Sequence, residues 1–346
     1  MKIVHVVSSL NMGGAERFVV DLACFQRQQM HDDSIILSMG QSSDALFEQV
    51  NNSSQKLLLA SKVGQIRAIC QDADVVHVHS SYCLFRVTLA LIGLTAKMVY
   101  TRHNQHPLLS LKWRVLYRLV FMRLHKAIFV SDAAQKKFVT HYPQYQDKTQ
   151  VVLNGLSAID ISREKGSEQG LLNIVHVGRF VALKSQHVLI EAISKLPLPS
   201  RQKLAVNFYG DGPLMAQNQQ RAAAFGLEQI SHFHGNVQDR EKIYQNADLL
   251  VVTSETEGLS LVILEAFSCG VPCVASRVGG NVELVKPQQT GWLYEYADSD
   301  ALARIINDVI TEPAKLEQAA THCKEYFFAH FTMDVCAQNY HQVYQS

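Results

Sequence analysis

The sequence predicts an α/β protein built from two doubly wound domains, and three observations carry that expectation. Short, almost wholly apolar strands alternate with helical stretches along the chain. Such a rhythm implies parallel sheets covered on both faces. The rhythm breaks once, at the polar, glycine-containing stretch 157–170, where a linker is placed. Finally, 346 residues are more than a single hydrophobic core usually holds.

In the first half the strand candidates are Lys2–Val7, Asp33–Ser38, Val75–His79, Met98–Thr101, Ala127–Val130 and Val151–Leu153. Helical stretches such as Glu16–Gln29 and Lys112–Arg123 separate them. The second half offers Asn173–Val177, Ala205–Tyr209, Ile230–His234, Leu249–Val252 and Cys273–Ala275 as strands. Its helical stretches fall at Gln186–Lys195, Leu214–Phe225, Leu261–Cys269 and Asp300–Ile310. Domains are therefore expected at 1–156 and 170–329, facing across a cleft between the carboxyl ends of their sheets. Ligands of open α/β sheets bind at those ends.

Composition narrows the classes. With 47% hydrophobic and 18% charged residues the chain reads as soluble and globular. A net charge of +1 gives no global field for nucleic acid. The N-terminal run reads as a strand and not as a signal peptide, and Val87–Ala96 is too short to span a bilayer. Seven scattered cysteines fit buried thiols in a reducing cytosol.

The most informative stretch is 247–267. The apolar run Leu249–Val252 ends in a polar turn with Glu257-Gly258, and a helical pattern follows with Glu265 in its second turn. A strand, a loop and a helix N-terminus in that order suit an anionic or polyhydroxylated ligand. Glu257 and Glu265 do not read as a glycosidase acid pair. Eight helical residues span about 12 Å, whereas a retaining hydrolase holds its carboxylates about 5 Å apart. They suit hydroxyls at different points of an elongated ligand.

Gly178-Arg179-Phe180 follows strand Asn173–Val177, with Lys184 five residues after Arg179. Two cations on one loop at a strand end can grip a diphosphate, Arg as a fork and Lys as a point charge. Solvated surface cations are the plain alternative, and the neighbouring Glu257 loop tips the balance toward binding. Gly13-Gly14-Ala15-Glu16 opens the first helix and lets backbone approach a ligand. Taken alone it reads better as an ordinary strand–helix turn, and no dinucleotide fingerprint accompanies it. His103, just past strand Met98–Thr101, can hydrogen-bond a ligand hydroxyl or move a proton. Its place at a strand end sets it above His77, His79 and His106. No histidine group has the spacing of a zinc site. Gly210-Asp211-Gly212-Pro213 and Gly279-Gly280-Asn281 read as turns. The basic, aromatic stretch Lys112–Lys126 fits either anionic lipid headgroups or core packing beneath a solvated stripe, and the two stay open.

Together these motifs resemble the retaining glycosyltransferases of family 4, which have the GT-B fold of two Rossmann-like domains. The resemblance runs nearly end to end. It rests on Gly13-Gly14-Ala15-Glu16, Val130-Ser131, Asn154-Gly155, Val177-Gly178-Arg179 with Lys184, Gly210-Asp211-Gly212-Pro213, Glu257-Gly258 with Glu265-Ala266, Val278-Gly279-Gly280 and Gly291-Trp292-Leu293. The most specific element is the pair of glutamates with seven residues between them, combined with the Arg–Lys pair. The tail, with Phe331, Tyr340 and Tyr344, is similar to the family's closing helix, so 330–346 is expected to return to the first domain.

The resemblance implies roles. Arg179 and Lys184 bind the diphosphate of a nucleotide sugar and stabilise it as it leaves. Glu265 holds the ribose, and Glu257 with Gly258 and Leu259 faces the sugar. Backbone groups around Asn236 and Val237 take the base. His103 contacts a sugar hydroxyl, Gly14 lets the first domain's loop approach, and Glu283 faces the donor or structures its loop. The implied enzyme retains anomeric configuration by front-face displacement and needs no metal or cofactor, the nucleotide sugar being a substrate. The implied reaction moves a hexose or N-acetylhexosamine, UDP-linked, to a glycan or lipid-linked glycan in lipopolysaccharide or surface-polysaccharide synthesis. The first domain takes the acceptor and the second the donor. A cytoplasmic place follows, with peripheral contact to the inner membrane face left open and no nucleic acid partner. The alternatives are a nucleotide-sugar epimerase of the same fold, an idle transferase partner subunit, and, more remotely, a nicotinamide-dependent oxidoreductase. Two departures stand out: Ser157 occupies a position where the family often has an acid, and Phe180-Val181 replace more polar residues.

Overall fold

The structure is a computed structural model that describes every residue except Met12, Ser54, His106 and 162–169. Most of the expected linker 157–170 thus lies outside the described residues. The chain forms two compact units, Met1–Ser157 with Phe331–Ser346, and Ala158–His330.

The first unit contains strands β1 (Lys2–Val7), β2 (Asp33–Ser38), β3 (Lys56–Leu59), β4 (Val75–Val78), β5 (Lys97–Arg102), β6 (Leu124–Phe129) and β7 (Thr149–Val151). Its helices are α1 (Gly14–Gln28), α2 (Phe47–Asn51), α3 (Val63–Cys70), α4 (Leu84–Ala90), α5 (Leu111–Arg123) and α6 (Asp132–His141). The sheet order is β3-β2-β1-β4-β5-β6-β7, with every pairing parallel. Strand β1 lies inside the sheet between β2 and β4 and is buried after Lys2, which is why its sequence is a continuous apolar run broken only by His5.

The second unit repeats the plan with β8 (Leu172–Val177), β9 (Leu204–Tyr209), β10 (Ser231–Phe233), β11 (Leu249–Val252), β12 (Cys273–Ser276) and β13 (Gly291–Tyr294). Its helices are α7 (Gln186–Ser194), α8 (Leu198–Arg201), α9 (Met215–Ala224), α10 (Arg240–Tyr244), α11 (Leu261–Ser268), α12 (Asn281–Leu284), α13 (Ser299–Thr311) and α14 (Pro313–His330). Strand order is β10-β9-β8-β11-β12-β13, again all parallel. The order reverses between β8 and β11, and it is at such a switch point that adjacent loops splay apart and leave a crevice.

A last helix, α15 (Met333–Gln345), belongs to the first unit and packs on α1. Leu156 N donates to Phe331 O and Met333 N to Leu156 O, each at 3.0 Å. Gly155 explains that approach: a Cβ there would fall on Thr332 O and 2.7 Å from Cys336 Cβ. Lys97 Nζ donates to the terminal carbonyls of Tyr344 and Ser346 at 3.0 and 2.9 Å, a cation at a helix C-terminus.

Two strands escape the sequence pattern. β3 is a four-residue edge strand whose outer leucine stays exposed, so it lacks a buried run. β13 begins with Gly291 at a φ of +153° and is four residues long. The basic stretch Lys112–Lys126 is not one helix, since α5 ends at Arg123 and β6 begins at Leu124. The seven cysteines are free thiols, six of them buried.

Candidate functional site

The loops that follow β8 and β11 flank the switch point of the second unit, and they carry Arg179, Lys184, Glu257, Gly258 and Leu259. They are stitched together through backbone. Glu255 N donates to Leu183 O at 2.8 Å, and Thr253 Oγ1 to Lys184 O at 2.6 Å. Thr253 Oγ1 also meets His176 Nε2 at 2.9 Å. Burial, with Lys184 nearby, lowers His176 to about 3, so it stays a neutral partner.

Lys184 Nζ donates to Glu257 Oε1 at 2.6 Å, and Ser254 Oγ reaches the same oxygen at 2.6 Å. The Glu257 side chain is only 11% exposed, so the pair is largely sheltered from water and its mutual attraction is weakly screened. Arg179 stands exposed on the same loop, its guanidinium unpaired among the described residues. One cation is therefore held by an acid and the other is open to an anion.

Glycine turns brace both loops. Gly210 has a φ of +130°, and a Cβ on it would fall on Gly178 O. Phe180 N donates to Asp211 O at 2.9 Å, and Leu214 N to Phe180 O at 3.0 Å. Phe180 itself is buried at 1% exposure among Phe208 and Phe233, so this departure from the family's polar residue anchors the loop in the core. Gly280 packs on the other loop: a Cβ there would fall on Gly258 O and 3.0 Å from Leu259 Cα. Read from sequence as mere turns, both are close-approach points.

Glu265 lies on α11 with its side chain 13% exposed. Arg240 reaches its Oε1 at 3.4 Å, and Tyr244 Oη donates to its Oε2 at 3.1 Å. Burial and that carboxylate push the Tyr244 phenol up, so it remains a donor. Neither Arg240 nor Tyr244 stands out in the sequence, because their link to Glu265 exists only once α10 packs beside α11. Asn236 and Val237 lie in the loop between β10 and α10, next to the Gly210 turn through Gly210 N to Gly235 O at 2.7 Å. Glu283 lies on the short helix α12, half-buried.

Gly14 and His103 belong to the first unit. Gly14 opens α1 after β1, and His103 follows β5. Phe18 of α1 meets the His103 ring edge-on at 5.6 Å. Burial lowers His103 to about 4, so it is neutral at physiological pH and offers a hydrogen bond rather than a charge. His77 and His79, set aside in the sequence reading, join the buried His5 and the half-buried His103 in one cluster. Ligand nitrogens of His5, His77 and His79 lie within 4.8 Å of one another. Cross-strand register pairs His5 with His77, a proximity that linear spacing cannot show.

Two D-x-D triplets occur, and both have structural duties. Asp74 accepts Lys2 N at 2.7 Å at the amino end of the sheet. Asp298 caps α13 through Ala301 N at 2.8 Å, and Asp300 pairs with Lys195 at 2.8 Å.

The chain matches the sequence family described as glycosyl transferases group 1 over residues 158–326. Residues 12–158 match glycosyltransferase family 4. It is 24% identical over 302 residues to the N-acetyl-alpha-D-glucosaminyl L-malate synthase of Bacillus anthracis, covering 83% of this chain and 78% of that one. It is 25% identical over 351 residues to an alpha-1,4-N-acetyl-D-galactosaminyltransferase of Campylobacter jejuni that acts on a GalNAc-extended diNAcBac-PP-undecaprenol, covering 95% and 96%. Its fold superposes on the Anabaena protein Alr3699/HepE, solved with UDP and glucose, at a TM-score of 0.85 and 22% identity over all of both chains. With family sequences matched from residue 12 to residue 326, two parallel doubly wound sheets and the Arg179–Lys184 and Glu257 loops at one switch point, the chain belongs to the group 1 glycosyltransferases of family 4, which have the GT-B fold.

Proposed function

We propose that this glycosyltransferase is retaining and metal-independent, and that it moves a hexose or N-acetylhexosamine from a UDP-sugar to a glycan or lipid-linked glycan. The observation that carries the reading is the pair of loops after β8 and β11. They set one open cation, Arg179, and one acid-held cation, Lys184, beside the Glu257-Gly258 turn. A diphosphate supplies the anion Arg179 lacks and gives Lys184 a second acceptor. Glu257 and the backbone of Gly258 and Leu259 then meet the sugar, Glu265 the ribose, and Asn236 and Val237 the base. The second unit, the 170–329 region, is the donor side and the first the acceptor side, with His103 on a sugar hydroxyl beside Gly14.

In the proposed step the acceptor oxygen attacks the anomeric carbon on the face from which the diphosphate leaves. The carbon–oxygen bond to phosphate breaks as the new glycosidic bond forms. The departing phosphate oxygen takes the acceptor proton, while Arg179 and Lys184 stabilise the charge that accumulates on it. No metal or cofactor enters this scheme. UDP in the Anabaena neighbour and the undecaprenol-linked acceptor of the Campylobacter relative support donor and acceptor class, and a lipopolysaccharide or surface-polysaccharide pathway.

A lipid-linked acceptor calls for a membrane surface, and α4 and α5 supply the matching chemistry. No helix among the described residues is long and apolar enough to cross a membrane. Residues 75–131 hold eight Lys and Arg and no Asp or Glu, in a chain whose net charge is only +1. On α5, Leu111, Val115, Leu119 and Met122 are exposed, and Phe85 and Leu89 of α4 are exposed beside them. Apolar residues flanked by Lys112, Arg114 and Arg118 fit the inner face of an anionic bilayer.

The deciding experiment incubates purified protein with UDP-, GDP-, ADP- and CMP-sugars, with and without lipid-linked glycan. The expected result is α-product formation from a UDP-sugar, unaffected by EDTA and lowered about 100-fold or more by Arg179→Ala. Full activity of both Arg179→Ala and Glu257→Ala sinks the site. Sugar interconversion without acceptor or UDP release favours the epimerase instead. Sedimentation with phosphatidylglycerol vesicles but not phosphatidylcholine vesicles, lost at high salt and in Arg114→Glu/Arg118→Glu, tests the membrane surface. Equal sedimentation with both lipids refutes it.

A further inference from the structure

A row of histidines links the core of the first unit to His103, and the valence of neutral imidazole makes their order informative. His5 Nε2 lies 2.7 Å from Gln26 Oε1. His5 Nδ1 lies 3.0 Å from His79 Nε2, and His79 Nδ1 lies 3.3 Å from His103 Nε2. His103 Nδ1 is buried and has no hydrogen-bond partner among the described residues. The rings of His79 and His103 stack at 5.6 Å.

This cluster is built for hydrogen bonds rather than for a metal. His77 spends both nitrogens on hydroxyls, Tyr344 Oη and Thr101 Oγ1, each at 2.7 Å. Both nitrogens of His5 and both of His79 are likewise engaged. Among the described residues no carboxylate joins the three-histidine group to balance a buried divalent charge. Burial holds His5 and His103 at about 4 and, with the neighbouring histidines, lowers His77 and His79 as well, so all four rings are neutral.

A neutral imidazole has one N–H and one lone pair. The oxygen of Gln26, itself wholly buried on α1, can only accept. His5 must then carry its proton on Nε2 and accept at Nδ1. That forces His79 to donate from Nε2 and accept at Nδ1, which forces His103 to donate from Nε2. The last lone pair, on His103 Nδ1, is left without a donor. One amide in the core thus decides the tautomer of a ring at the far end of the row.

We propose that Gln26, His5 and His79 are positioning residues that lock His103 as its Nε2–H tautomer, so that Nδ1 is a committed acceptor for one substrate hydroxyl. The tautomer follows from the row itself; its use rests on the proposed role of His103 at the sugar. The specificity consequence is chemical. A hydroxyl at that sugar position can donate to Nδ1, whereas fluorine or a methoxy group cannot and leaves the buried lone pair unpaired.

The test uses the full-length protein labelled with 15N-histidine. Long-range proton–nitrogen correlation reads which nitrogen of each ring is protonated, and His103→Gln assigns the His103 signals. The expected spectrum shows His103 protonated on Nε2 and bare on Nδ1. Gln26→Leu, an apolar replacement of similar size, is expected to mix the His103 tautomers and to lower kcat/KM about tenfold, the loss of one hydrogen bond, with the pH profile unchanged. A proton on His103 Nδ1 in the wild-type protein, the outcome if the Gln26 amide presents its nitrogen instead, overturns the proposal, as does stoichiometric zinc in the purified protein. A separate arm assays deoxyfluoro donors at each sugar position. Loss of turnover at one position supports the hydroxyl contact. Equal turnover at all positions, with the tautomer as expected, removes His103 from the sugar without touching the row.

Discussion

Gly280→Ala is a steric probe of the Glu257 loop that removes no catalytic side chain. Gly280 sits at a φ of −65°, which any residue adopts, so alanine brings no backbone strain of its own. Its Cβ, however, would fall on Gly258 O and 3.0 Å from Leu259 Cα. Carbon atoms need about 3.5 Å or more, and the obstacle is backbone, which cannot swing aside like a side chain. The Glu257–Leu259 loop must shift by about 1 Å. Overpacking of this kind costs about 1–3 kcal/mol in stability, and a misplacement near 1 Å at a reacting centre costs about 100-fold in rate. Thermal unfolding and kcat/KM for sugar transfer read the two effects separately. Gly64→Ala, with no atom within 4 Å of the new Cβ and a place in α3, is the control expected to change neither by more than a little. A Gly280→Ala enzyme with wild-type kcat/KM would show that this turn does not set the Glu257 loop, and the steric argument fails.

Glu257→Gln keeps the side-chain volume but releases Lys184 from its carboxylate. UDP is expected to bind at least as tightly by calorimetry while transfer falls about tenfold or more; weaker UDP binding contradicts the view that Glu257 competes for Lys184. Acid should destabilise the first unit before the second. His5 and His103 have folded pKa values near 4 against 6.5 unfolded, so the unfolded chain takes up protons that the folded one refuses as pH falls from 6.5 toward 4. Stability is fully present above 6.5, and each such ring removes up to about 1.4 kcal/mol per pH unit below it. With His5, His77, His79 and His103 lowered in the first unit beside the part-exposed His125, and His176 in the second beside the more exposed His187 and His234, hydrogen exchange at pH 5 is expected to lose protection in β1 and β4 before β8 and β11; simultaneous loss rules this out. Gly155→Ala should loosen the tail, since its Cβ meets Thr332 and Cys336, and raised exchange in α15 with β8 unchanged is the expected signature. Retained protection throughout α15 contradicts it.

Much of the fold was legible because burial leaves a mark on composition. Strands enclosed by helices on both faces are mostly apolar, and the buried runs within β1, β2, β8 and β11 read as such from the chain alone. Edges escape for the same reason, since β3 and β13 are short and only partly enclosed. Arg179, Lys184, Glu257 and Glu265 could be singled out because charged residues just past apolar strands are conspicuous. Their linkage could not. The Lys184–Glu257 pair, the Arg240 and Tyr244 contacts to Glu265, and the pressing of Gly210 and Gly280 on the two loops join residues tens of positions apart. The histidines are the sharpest case. His77 and His79 look like strand positions until parallel pairing lays His5 beside His77 and α15 packs against His77. Local pattern fixed which residues enter the core and which strand ends carry charge, because burial acts residue by residue. Only the folded chain decided which polar groups share a hydrogen bond, because that depends on register and helix docking, and neither is written in any one segment.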